Sequence, residues 1–294
     1  LTGHLPVLTA EAVQQLRPER GGVFVDCTVG LGGHSLALLE AGAGRIVGLD
    51  RDSEALDRAR ERLAPWLDRV DLVHVDYRAL DSVLDRLGIP KIDGALADLG
   101  LSALQLGTPG RGFSFQHDDP LDMRMDRTEG ETAADVIARL NERELADAIF
   151  EYGEERRSRQ IARAIVEARR REPITTTGRL AAIVRRANPG RSRRRIDPAT
   201  RTFQALRIWV NRELEGLDRF LETAARRLRV HARLVVITFH SLEDRIVKHT
   251  FRALERSDLA MRILTRKPIV PGAEEVHRNP RSRSAKLRAA ERTA

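Results

Sequence analysis

Cysteine is all but missing from this chain of 294 residues: Cys27 stands alone. That excludes an intrachain disulfide and a cysteine-built zinc site, and makes the cytoplasm the expected compartment. The histidines (His4, His34, His74, His117, His231, His240, His249 and His277) show no H-E-x-x-H spacing, so no metal is expected. No run approaches the roughly 18 apolar residues of a membrane helix, and no membrane partner is expected. The opening Leu1-Thr2-Gly3-His4-Leu5-Pro6 lacks a methionine and any signal-peptide pattern. Lysine is also scarce, occurring at Lys91, Lys248, Lys267 and Lys286.

The net charge is nevertheless +8, so nearly all of the basic excess is arginine. Guanidinium forks grip phosphate in two-point geometry and stack on bases. A polyanionic partner is one reading of this composition; a solvated arginine-rich surface is the other. At 41% hydrophobic, the chain has enough apolar material for one large or two ordinary domains.

The most informative stretch is Val23-Phe24-Val25-Asp26-Cys27-Thr28-Val29-Gly30-Leu31-Gly32-Gly33-His34-Ser35. An apolar run, read as a buried parallel strand, breaks into a glycine-rich turn and then a helix. Such a turn lets backbone N–H groups approach a ligand at a helix N-terminus. Asp50, twenty residues after Gly30, ends the next apolar run, where an acid suits ribose hydroxyls. The glycines do not form G-x-G-x-x-G, because Ser35 stands at the later position. A bare structural turn fits the glycines alone. The acid favours an adenosine-bearing ligand, and the missing glycine favours one without pyrophosphate, such as S-adenosylmethionine.

Short apolar runs alternate with helical patterns over residues 20–100, the βαβ rhythm of a doubly wound α/β sheet. Ser53 is expected to cap the helix that follows Asp50. Residues 102–130 read as ordered loop and Thr132 to Glu172 as polar helix. A basic loop spans 188–198. One helix is then expected to carry Phe203, Leu206, Val210, Leu214, Leu217 and Leu221 on one face. A strand returns at 233–239, and Ser241-Leu242-Glu243-Asp244 reads as a capping box. From about Lys267 the tail holds at most a weak strand. The economical account is one α/β domain interrupted by a helical insertion.

Four acids, Asp26, Asp50, Asp76 and Asp98, end successive strands, the edge where open parallel sheets bind ligands. Helix capping accounts for at least one of them. Asp98 would face the reacting centre. There it can accept the hydrogens of an exocyclic base amine and so restore nucleophilicity to a lone pair delocalised into the ring. Cys27 reads as a small buried thiol, which speaks against carbon methylation by covalent addition. His240, at a strand end, reads as packed or site-reaching. Met123 and Met125 flank Arg124 in a segment that reads as a lid or as loop packing. Arg191–Arg195 and Arg278–Arg292 are candidate phosphate contacts. Phe113, Phe115, Tyr152 and Trp209 are candidates for base stacking, with core packing the default for Trp209.

Several stretches together resemble one family, the bacterial 16S ribosomal RNA cytosine-N4 methyltransferases (the RsmH, or MraW, family). They are His4–Leu8, Gly32–Ser35, Asp50–Asp52, Ile92–Gly94, Arg111–Phe115, Pro120–Asp126, Tyr152–Arg156, Ala199–Ile208, Phe239–Arg245 and Asn279–Arg288. The likeness runs in order through essentially the whole chain. It implies a Rossmann-like S-adenosylmethionine-dependent methyltransferase with an inserted helical domain. Its implied parts are 1–105 (first part of the methyltransferase domain), 106–212 (helical, substrate-recognising insertion) and 213–294 (second part and basic tail). The implied reaction is N4-methylation of a cytidine in the decoding region of 16S rRNA, with the small ribosomal subunit as partner. A homodimer is allowed. The implied cofactor contacts are Gly32, Gly33, His34, Asp50, Tyr77, Asp98 and Gln105, with Asp98 also the candidate catalytic residue.

Three departures from the family pattern stand out. Ser102-Ala103-Leu104 replaces the usual Ser-Ser-Pro ahead of Gln105, Tyr77 replaces a phenylalanine, and Val230-His231-Ala232 replaces Pro-Gly-Gly. The alternative reading is a DNA or small-molecule amine methyltransferase of the same architecture. Asp98-Leu99-Gly100-Leu101 is not the Asn/Asp-Pro-Pro-Tyr/Phe motif usual in DNA amine enzymes. A non-catalytic RNA-binding protein is the third reading, disfavoured by the intact glycine turn, Asp50 and Asp98.

Overall fold

The computed structural model describes residues 6–189 and 197–294. The chain divides at 102/103 and 215/216 into two compact units, one made from both ends of the chain and one from its middle. These seams fall three residues from the expected breaks at 105/106 and 212/213.

The first unit is built on a seven-stranded sheet in the order β3-β2-β1-β4-β5-β7-β6. The strands are β1 (Val23–Asp26), β2 (Arg45–Asp50), β3 (Val70–His74), β4 (Ile92–Asp98), β5 (Leu228–Thr238), β6 (Met261–Ile263) and β7 (Lys286–Arg292). The first five are mutually parallel. β7 runs antiparallel between β5 and β6. Strands with helices on both faces need apolar side chains on both. In β1, Phe24 joins the layer of Leu16, Leu38, Ile46 and Val235, while Val25 joins the layer of Val47, Leu84, Leu221 and Phe251.

The expected weak tail strand is in fact a full seven-residue strand inside the sheet, and its arginines are spent on the fold. Buried Arg288 pairs with Asp244 at 2.6 Å, and Lys286 reaches the same carboxylate at 3.2 Å. Arg292 donates to the carbonyls of Arg226 and Leu228. Arg288 and Arg292 are therefore corrected from phosphate contacts to internal anchors. Arg281 and Arg283 are exposed.

The helix expected from Phe203 to Leu221 is two helices, Thr200–Asn211 and Leu217–Arg227. Arg212 (φ 49°) and Gly216 (φ 66°) take left-handed conformations between them, which no helix can carry through. Phe203 and Leu206 belong to the second unit, while Leu217 and Leu221 pack on the sheet of the first. A common apolar stripe thus conceals the seam.

The second unit is helical: Ala103–Gly107, Ala133–Arg139, Glu142–Gly153, Ser158–Arg171, Thr177–Ala187 and Thr200–Asn211. The single polar helical stretch expected over 132–172 is three helices, broken at Leu140–Asn141 and again after Gly153, where Glu154 takes a left-handed φ of 48°. Thr132 with Asp135 and Asn141 with Glu144 form reciprocal capping boxes. Arg169 then donates to the carbonyls of Ile137 and Leu140, satisfying the end of the first of these helices. Gly153 lets Glu142–Gly153 lie close to Thr200–Asn211, since a Cβ there would sit 2.5 Å from the carbonyl oxygen of Arg201. The Met123–Met125 segment packs as loop: Asn211 bonds Met125 N and Met123 O, and buried Arg111 donates to the carbonyls of Arg124 and Met125. The basic loop Arg191–Arg195 lies outside the described residues.

Candidate cofactor and active site

β2, β1 and β4 lie side by side, so Asp50, Asp26 and Asp98 end neighbouring parallel strands on one edge of the first unit. The turn after β1 passes over this edge. Gly30 N donates to Asp50 Oδ2 at 2.8 Å, and Asp52 N donates to Oδ1 at 2.9 Å. The second-strand acid therefore holds the first-strand turn, a contact that twenty residues of spacing only suggest. Gly32 has φ +76°, and a Cβ there would press on Leu63 at 3.3 Å. The helix Gly33–Glu40 starts directly after it, with a glycine as its N-cap, and the Asp26 carboxylate takes the backbone N–H of Ser35 in its first turn.

The four strand-end acids are not equivalent. Asp26 is fully buried and accepts Ser35 Oγ at 2.7 Å and Thr28 N at 3.3 Å, so it organises the turn from below. Burial pushes its carboxyl up. Asp76 is gripped by Arg78 through two 2.7 Å bonds, faces Arg51 at 3.5 Å, and accepts Arg78 N to cap a short turn. It is the acid that capping accounts for, and hydrogen bonds with Arg78, together with Arg51, hold its carboxyl low against the cost of burial. Asp50 and Asp98 are left. Burial pushes each up to about 6, against backbone N–H groups that pull Asp50 down and the His34 charge that pulls Asp98 down.

Asp98 N donates to Thr28 Oγ1 at 2.7 Å, and Gly100 N reaches Asp98 Oδ1 at 3.3 Å. A Cβ at Gly100 would lie 2.5 Å from the Phe239 ring, so the chain leaving β4 passes there only as glycine. His34 Nε2 donates to the Val7 carbonyl at 3.0 Å, and its Nδ1 stands 3.7 Å from Asp98 Oδ2. No sequence spacing announces Thr28, Ser35 or Val7 as partners of these acids.

Tyr77 follows β3, buried, with its ring 4.5 Å from that of Phe220 and its hydroxyl pushed up by burial. Cys27 is buried and burial raises its thiol well above the usual value, as an inert core residue requires. Two caps differ from expectation. Asp52, not Ser53, precedes the helix Ser53–Arg62. His240, not Ser241, caps Ser241–Glu255, with Glu243 Oε2 returning to Phe239 N at 2.9 Å. That assigns His240 a packed, capping place. Gln105 is buried on Ala103–Gly107 in the second unit. In the same unit Phe115 meets Phe203 with Arg185 over its ring, and Tyr152 meets Trp209.

A glycine turn is thus tied to a second-strand acid, with another acid on the strand beyond β1. Residues 2–293 match the family model described as the MraW methylase family. This chain belongs to that family. Ribosomal RNA small subunit methyltransferase H of Carboxydothermus hydrogenoformans is 48% identical over 98% of this chain and 97% of its own. The proteins of that name from Sorangium cellulosum and Thermotoga neapolitana are 51% and 52% identical, again over 98% of this chain, and over 90% and 95% of their own. A solved structure of a putative rRNA-methylase from Clostridium thermocellum is matched loosely, with TM-score 0.46 and 12% identity over 99% of each chain. The chain is thus an S-adenosylmethionine-dependent methyltransferase of the MraW family. Among the described residues, no helix is long and apolar enough to cross a membrane.

Proposed function

We propose that this MraW-family chain methylates the N4 amine of a cytidine in the decoding region of 16S rRNA, with the small ribosomal subunit as its partner. The homodimer that the sequence allows is not part of the proposal. The reading is carried by the Asp50–turn contact with Asp98 one strand beyond β1, and it is supported by relatives whose names specify small-subunit ribosomal RNA.

The residues fit S-adenosylmethionine. Each Asp50 oxygen takes one backbone N–H, and a carboxylate offers about four acceptor sites, so two remain for the hydroxyls of a ribose. Gly32 and Gly33 bring the backbone close to that ligand, and Tyr77 is proposed as a further contact. When bound, S-adenosylmethionine supplies a methyl group on a sulfonium, transferred as the C–S bond electrons leave on sulfur. The side chain of Asp98 is 20% exposed, which leaves it able to accept hydrogen bonds from the amine and favour attack by its lone pair, the proton that the nitrogen sheds on methylation passing to water. Placement of amine and methyl supplies much of the acceleration of such a displacement. The arginines and aromatic rings of residues 103–215 are proposed to hold the RNA.

The test is methyl transfer from labelled S-adenosylmethionine to small subunits from cells lacking the endogenous enzyme, with the product nucleoside identified by mass spectrometry. Label on N4 of a decoding-region cytidine is expected. Cofactor binding without label on the subunit refutes the substrate.

A further inference from the structure

We propose that the turn Pro280–Ser284 of the first unit is a phosphate clamp, in which Arg281 and Arg283 grip the RNA backbone at the ligand edge of the sheet. This rests on the reading above of the substrate as ribosomal RNA, and adds to it a contact surface outside residues 103–215.

Strand register places this turn. Asp98 pairs with Ile237 of β5, and Ile237 pairs with Leu287 of β7. Neighbouring strands lie about 4.8 Å apart, so Leu287 stands about 10 Å across the sheet from Asp98. Lys286 is opposite Thr238, the last residue of β5. Because β7 runs antiparallel to β5, the residues before Lys286 continue past the carboxyl edge on which Asp26, Asp50 and Asp98 end. The turn is therefore a neighbour of the Asp98 site.

The turn is fixed from within. Ser282 is fully buried, its hydroxyl donates to Asn279 O at 2.7 Å, and Ala285 N donates to Ser282 O at 2.8 Å. Arg281 and Arg283 stand exposed on either side of that serine. The acids of the preceding helix Ala273–Arg278 are engaged elsewhere: Glu274 pairs with Arg278 at 3.3 Å, and Glu275 accepts Leu8 N at 2.8 Å. Asp244 is taken by Lys286 and Arg288. Among the described residues, neither Arg281 nor Arg283 has an acid partner. The basic residues of β7 are spent on the fold, whereas these two remain for a ligand. A guanidinium fork offers parallel N–H donors to phosphate oxygens. Two such forks on a rigid turn suit neighbouring phosphates, since little backbone order is lost on binding. Phosphate contacts fix the register of a strand without reading its bases, so the clamp sets where the RNA lies and leaves the choice of base to the Asp98 site.

The experiment compares the full-length chain with two double variants, Arg281→Gln with Arg283→Gln, and Arg86→Gln with Arg226→Gln. The second removes the same charge from exposed arginines at the opposite edge, where the helix Leu80–Arg86 ends and β5 begins. Filter binding to a transcript of the 16S decoding region is followed as a function of salt. For the ligand-edge variant we expect RNA affinity to fall by about 10–100-fold and the salt slope to become shallower by about 1.4, or about 0.7 for each lost contact to a single strand. KM for small subunits should rise with kcat kept, and S-adenosylmethionine affinity by calorimetry should not move. An unchanged RNA affinity and slope, or an equal loss in the far-edge variant, would overturn the proposal.

Should the variant not fold, the wild type still decides. The transcript must protect Arg281 and Arg283 from phenylglyoxal, read by mass spectrometry; equal modification with and without RNA sinks the proposal. Binding and protection need no methyl transfer. Weakened RNA binding by the variant of a protein that methylates no ribosomal RNA would therefore break the substrate reading and leave the clamp standing. Methylation of small subunits, with RNA binding untouched by the variant, would do the reverse.

Discussion

Asp50 shows how much of the site a single residue carries. It closes the glycine turn through two backbone N–H groups and keeps acceptor capacity for the ligand. Hydrogen bonds to a charged acceptor are worth about 1.5–3 kcal/mol, so Asp50→Ala is expected to weaken S-adenosylmethionine binding by about 10–100-fold. Calorimetry with the cofactor and filter binding with ribosomal RNA separate the effects. An equal loss of both affinities would remove the ribose assignment. Gly32 is constrained differently. An alanine there would hold φ at +76° against Leu63, at about 1–2 kcal/mol for the left-handed backbone alone. Gly32→Ala should therefore lower both thermal stability and cofactor affinity, and undisturbed calorimetric values would show that the turn tolerates a side chain.

At the scale of elements, β5 and β7 depart most from the sequence reading. Pairing of β5 with β4 shifts register between Ile92 and Gly94, and exposed His231 takes φ +67° at the irregularity. The family's usual glycines suit that conformation; histidine is strained in it. Restoring glycine trades this strain against unfolded-chain entropy, so His231→Gly should stabilise the protein by about 0.5–1 kcal/mol. Urea denaturation measures it, and a loss of stability would place the strain elsewhere. The sequence showed β7 only faintly because its alternation is masked by Lys286, Arg288 and Glu291, which are ion-paired within the fold, and by Arg292, which bonds backbone carbonyls. Asp244 holds two of those charges with only 13% of its side chain exposed. Asp244→Ala strands the Arg288 guanidinium and should cost about 3–5 kcal/mol. A change under 1 kcal/mol in the same assay would mean that water reaches the pair.

For the whole molecule, the buried acids set a two-sided dependence of stability on pH. Asp50 and Asp98 titrate near 6 in the fold and near 3.8 when unfolded. Between about pH 6 and 4 the native state therefore binds more protons, and stability rises as pH falls. Asp76, Asp122, Asp244 and Glu291 are shifted the other way by their arginine or lysine partners. Their contribution is present above the unfolded value and is lost as pH falls below about 4. The cofactor-free protein should thus melt about 2–4 °C higher at pH 5 than at pH 7, and lose stability steeply below pH 4. A melting temperature that falls steadily from pH 7 would contradict the raised acids. The four acids were legible as strand ends because strand periodicity places them there. Their division into a turn anchor, an arginine clamp and two open carboxylates was not legible, because it depends on partners such as Ser35, Arg51 and His34 that only folding brings close.

What the sequence determined by itself was whatever is local or periodic. The parallel strand runs, the glycine turn, the Asp50 spacing, the helical interruption and the arginine bias were readable because each depends on neighbours along the chain. Tertiary structure alone decided where one apolar stripe is cut between two units, that the basic tail threads between β5 and β6, that Val7 O takes the Nε2–H of His34, and that Glu275 takes Leu8 N. Those outcomes rest on contacts up to 267 positions apart. They are set by complementary burial and charge once the chain has closed, and no periodicity in the sequence records them.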